Sequence, residues 1–64
     1  MLVRILEGSS HVKCTDEGGI ISFFSQDTIG LVVEENVSPR NQNFFTIMVG
    51  ETLYEVLESD VEVL

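Results

Sequence analysis

The run Thr28-Ile29-Gly30-Leu31-Val32-Val33-Glu34-Glu35 constrains the fold more than any other stretch of this chain. β-Branched residues are frequent in it. Ile29, Leu31 and Val33 alternate with Gly30 and Val32, and polar residues close both ends, as expected of a buried β-strand. Residues 44–49 repeat the pattern, Phe45, Ile47 and Val49 alternating with Phe44, Thr46 and Met48, and form the expected antiparallel partner. The polar loop 36–43 separates the two runs, and Pro39, which has no N–H to donate, keeps it out of any central strand. Gly30 is expected to mark a bulge or sharp bend, a device that lets a short sheet curl round.

The remaining segments are short and regularly punctuated. Residues 1–7 read as a first strand with Val3 and Ile5 on one face and Arg4 on the other, ended by Gly8-Ser9-Ser10. Val12 and Cys14 alternate with His11, Lys13 and Thr15 in a half-exposed second strand. Asp16-Glu17-Gly18-Gly19 is the strongest turn signal, because glycine adopts backbone angles closed to other residues. Ile20-Ile21-Ser22-Phe23-Phe24 is a short third strand, joined to the central one by Ser25-Gln26-Asp27.

Gly50-Glu51 signals a compact turn into residues 52–58. There Leu53, Tyr54, Leu57, Val61 and Leu64 fit helical spacing, while Thr52, Tyr54 and Val56 favour extended chain. The expected outcome is two short strands about a tight or 3₁₀ turn at Ser59-Asp60. Strands recurring at such intervals predict a small all-β barrel or sandwich.

At 64 residues there is room for one domain with a thin core, yet 44% of the residues are hydrophobic. The surplus apolar surface has to remain exposed or be covered by another chain, which points to an oligomer or a larger assembly. Formal net charge is -8. Residues 28–64 hold seven acids against Arg40 alone, while residues 1–27 hold four against Arg4 and Lys13. Polyanions bind Lys/Arg-rich faces, so direct nucleic-acid binding is not expected. Cys14 is the only cysteine, so no intrachain disulfide forms and a reducing compartment fits. No stretch approaches the ~18 apolar residues of a spanning helix, and residues 1–6 are too short for a signal-peptide core.

The layout Gly30-Leu31-Val32-Val33-Glu34, Phe45-Thr46-Ile47-Met48-Val49-Gly50, Tyr54-Glu55-Val56 and Asp60-Val61-Glu62-Val63-Leu64 resembles small SH3-like barrel proteins of tailed bacteriophages, marine and cyanobacterial ones among them. The resemblance implies an SH3-like barrel of five to seven short antiparallel strands, with a possible 3₁₀ turn near the C-terminus. It covers residues 19–64 and leaves 1–18 as an extra N-terminal hairpin on one domain, 1–64. It also implies a protein of the host cytoplasm or the virion. Proline-rich peptide recognition by such modules uses a Trp- and Tyr-lined groove, and this chain has no Trp and one Tyr.

Catalytic and metal chemistry find little to build on. Zinc takes three or four protein ligands, and His11 and Cys14 would need help from Asp16 and Glu17, with positions 11 and 14 on opposite faces of a strand. The same pair lacks an orienting group for nucleophilic catalysis, and Gly18-Gly19 is followed by no Lys-Ser/Thr. No cofactor, metal or catalytic residue is expected. In each of the pairs Phe23/Phe24 and Phe44/Phe45 one ring has to point out of the core. Those outward rings, the edge of the first strand and the loop Pro39-Arg40-Asn41 are the expected protein interface. The expected function is non-enzymatic, a structural or interaction module acting in a homo-oligomer or virion assembly. The alternative is an acidic inhibitor whose carboxylates act as a nucleic-acid decoy towards a host enzyme or nucleic-acid-binding protein.

Overall fold

A computed structural model describes residues 1–13, 21–37 and 41–64. Among them lie strands β1 (Leu2–Ile5), β2 (Ser10–Lys13), β3 (Ile21–Phe23), β4 (Thr28–Val37), β5 (Asn43–Val49), β6 (Thr52–Leu57) and β7 (Val61–Val63). They form one antiparallel sheet in the order β3-β2-β6-β5-β4-β1-β7. A 3₁₀ turn, Glu58–Asp60, separates β6 from β7, so residues 52–57 are extended and only Glu58 of that segment joins the turn.

Seven flat strands would span about 29 Å at the usual spacing, yet the molecule measures 27 × 22 × 20 Å. The sheet therefore curls around one face. That face holds the core: Val3 and Ile5 of β1, Phe45 and Ile47 of β5, and Val56 of β6 are buried together. Phe24, Val32, Val49, Tyr54 and Val61 pack against them. Backbone bonds extend two of the pairings past the strand ends: the Leu6 N–H donates to the Asp60 carbonyl (3.0 Å) beyond β1–β7, and the Gly8 N–H donates to the Phe24 carbonyl (2.8 Å) and the Phe24 N–H to the Ser9 carbonyl (3.0 Å) beyond β2–β3.

The turns follow their residues. Ser9 N–H closes on the Leu6 carbonyl, and Gly8, at φ 84, takes the third position that a type II turn reserves for glycine. Gly50, at φ 61, opens the two-residue β5–β6 hairpin as a II′ turn requires. Asp27 Oδ1 accepts the Glu7 N–H at 2.8 Å and ties the β3–β4 connection to the β1–β2 turn.

Several expectations are corrected. β4 is not a buried strand: Ile29 (51%), Leu31 (39%) and Val33 (48%) are exposed, and only Gly30 is buried, with Val32 half-buried. The bulge lies between Val32 and Glu34, not at Gly30. Gly30 instead faces Val3 across the β1–β4 pair, where a β-carbon would run into the Ile47 Cγ2 methyl and sit 3.1 Å from the Met48 carbonyl oxygen. No N-terminal hairpin forms between the first two strands. β1 pairs with β4 and β7, while β2 pairs with β3 and β6. β1 is consequently no edge; the edges are β3 and β7. Its Val3 and Ile5 are too apolar to serve an appendage and supply part of the core.

Candidate interaction surface

The outer face of the curled sheet is the one opposite Val3, Gly30, Val32, Ile47 and Val56, and its side chains follow from register. Leu2 pairs with Leu31, Leu31 with Met48, and Met48 with Leu53, so these four side chains form one row across β1, β4, β5 and β6. Beyond β1 the row continues to Leu64, whose N–H donates to the Leu2 carbonyl at 3.0 Å. All five are exposed. Ile29 and Val33, also exposed, flank Leu31 along β4 and widen the apolar band.

Charge borders the band on both sides. On one side Arg4, paired with Ile29 in register, reaches Glu62 through a 3.3 Å ion pair. On the other side Glu34 and Glu55 both stand opposite Thr46, one from each neighbouring strand. Thr46 is buried there, and its Oγ1 accepts a hydrogen bond from Asn36 Nδ2 at 3.1 Å.

The expected aromatic anchors divide as alternation demands. Phe24 packs on the core and Phe45 is buried, while Phe23 (67% exposed) and the half-buried Phe44 point outwards. The two outward rings are not neighbours. Phe23 pairs with Ser10 on β2 and Phe44 with Leu57 on β6, which places the rings three strands, about 14 Å, apart. Between them Ser10, Val12, Ile21, Glu55 and Leu57 line a cleft of about 170 Å³. Asn41 holds a left-handed φ of 59 and borders a second cleft of about 420 Å³ with Leu57 and Glu58. Pro39 and Arg40 lie outside the described residues, as do Cys14, Asp16, Glu17, Gly18 and Gly19.

His11 turns into the core and is buried among rings, its centroid 4.1 Å from Phe24 and 4.7 Å from Tyr54. Among the described residues no three His, Cys, Asp or Glu side chains gather as a metal site would require. No described helix is long and apolar enough to cross a membrane.

Sequence reasoning missed the Leu2–Leu31–Met48–Leu53 row. The face shared by Ile29, Leu31 and Val33 was visible in their alternation, but two equally apolar faces of one strand do not announce which looks inward. Gly30 decides it, because only the smaller face fits against Ile47. A scan against protein-family models and comparisons with curated proteins and solved structures find no match to this chain.

Proposed function

We propose that this chain is a non-enzymatic interaction module, an SH3-like barrel that works within an assembly by burying the outer face of β1, β4, β5 and β6. The observation that carries the reading is the exposed row Leu2–Leu31–Met48–Leu53, an apolar band continuous across four paired strands. Isolated apolar residues are common on surfaces, whereas contiguous apolar patches with a polar rim mark contacts. The SH3-like assignment is supported by the β4-β5-β6 meander, the 3₁₀ turn after it and the return of β7 to β1. The engagement of His11 with Phe24 and Tyr54 favours a packing role for that residue over a catalytic one. The assembly we propose is a homo-oligomer or a virion, a reading supported by the resemblance of residues 19–64 to phage proteins.

Sedimentation across a dilution series tests the reading, with wild type beside Leu31→Asp. The expected result is a species heavier than the 7.1 kDa chain that Leu31→Asp dissociates. A wild type that stays a monomer at every concentration contradicts it.

A further inference from the structure

We infer that the open edge of β3 is a strand-addition site for an extended segment of another protein, apolar at alternate residues and preceded by a lysine or arginine. This surface is separate from the outer band and does not depend on it. β3 pairs with β2 and ends the sheet. Register decides which of its backbone groups look outward. The Phe24 N–H donates to the Ser9 carbonyl and the Phe24 carbonyl accepts from the Gly8 N–H, so the main chain of Phe24 faces β2. Main-chain groups alternate sides along a strand, so Ser22 also faces β2, while Ile21 and Phe23 turn theirs to the open edge. Two N–H donors and two carbonyl acceptors repeat there at about 7 Å, twice the rise per residue. Two alternate residues of a strand laid antiparallel satisfy all four.

The side chains suit such an occupant. Ile21 and Phe23, 63% and 67% exposed, project on the side of their register partners Val12 and Ser10, opposite His11 in the core. No residue of β3 is buried, so the strand presents its side chains and its edge together. Apolar residues set opposite Ile21 and Phe23 make the aromatic and β-branched cross-strand pairs that stabilise sheets. Edge strands are ordinarily guarded by charge. β7, the other edge, has Glu62 within it and Asp60 before it, whereas residues 20–26 carry no charge.

Charge selects the kind of partner. At the Phe23 end of the edge, the Gly8–Phe24 bond brings Glu7 alongside, and Asp27 Oδ1 accepts the Glu7 N–H at 2.8 Å. Both acids are exposed. An antiparallel segment begins at that end, so a base just before its first apolar residue stands beside two carboxylates, and complementary charge sets its register. A second copy offers no such segment from its open edges, since β3 is uncharged and β7 is acidic.

The test uses the full chain and a fluorescein-labelled peptide, Lys-Lys-Val-Thr-Val-Thr, followed by anisotropy. N-methylation of the two valine amides removes the donors aimed at β3 and is expected to weaken binding about tenfold or more. N-methylation of the two threonine amides, which point to solvent, is expected to change it less than about twofold. Glutamates in place of the peptide's lysines are expected to weaken binding about fivefold or more. So is the protein variant Glu7→Gln with Asp27→Asn, in which Asn keeps the oxygen that accepts the Glu7 N–H. Amide exchange of Ile21 and Phe23 is expected to slow on binding, while Ser22 is already protected in the free protein. Leu31→Asp, altered on the outer band, is expected to bind the peptide as wild type does. No binding at millimolar peptide, equal loss from the two methylation patterns, or loss in Leu31→Asp overturns strand addition at β3. Equal binding of the lysine and glutamate peptides overturns the basic partner. Wild-type self-association that Phe23→Ser abolishes would seat a second copy on this edge and overturns the inference as well.

Discussion

Gly30 sits where β4 crosses β1, and its hydrogen in place of a side chain lets Ile47 and Val49 fill the space beneath the strand. Ile47 is fully buried and β-branched, so its χ1 has little freedom to move the contacting methyl aside. Gly30→Ala is expected to destabilise the fold by about 1–3 kcal/mol, the usual range for overpacking, read as a lower midpoint in urea with an unchanged slope. An unchanged midpoint would mean that β4 shifts freely. Ile47→Ala works in the other direction, emptying the centre of the cluster, and is expected to cost about 2–5 kcal/mol. Arg4→Ala, by contrast, removes an exposed 3.3 Å ion pair and should change stability by less than about 1 kcal/mol.

At the scale of elements, β7 is three residues long yet closes the flank of β1, pairing Val63 with Val3 and Val61 with Ile5. A chain ended after Asp60 would turn β1 into an edge and uncover the two most deeply buried residues of its face. That truncation is expected to abolish cooperative thermal unfolding; retention of a sharp transition would show that β7 is dispensable. The elements themselves were legible in the sequence. β5 with its alternating faces, the Gly50 turn and the strand–turn–strand ending all follow from alternation and turn chemistry, which are local properties. The pairing partners were not legible. Residues 1–18 look like a hairpin because Gly8-Ser9-Ser10 is a turn, but that turn hands the chain to another part of the sheet. β1 finds β4 and β7 only through contacts distant in sequence. That one ring of each Phe pair points outwards was legible; which ring it is, and how far apart Phe23 and Phe44 lie, was not, because the separation depends on β2 inserting between β3 and β6.

The whole molecule combines an apolar band with a formal net charge of -8, and the two pull against each other when copies meet. Net repulsion acts over the screening length, about 30 Å at 0.01 M salt and 8 Å at 0.15 M. Burial of the Leu and Met side chains needs no charge and is largely indifferent to that range. Self-association is therefore expected to hold or tighten as salt rises through this range, followed by sedimentation. A steep loss of binding with salt would point instead to a basic partner recognised by the carboxylates.

Coverage of the face bearing Leu2, Leu31, Met48 and Leu53 in solution is measured directly by methyl NMR with a soluble paramagnetic probe. At concentrations where the protein associates, the methyl signals of these four residues are predicted to be shielded from the probe while Ile21 remains accessible, and dilution should expose them. Equal broadening of Leu31 and Ile21 at every concentration would contradict the account.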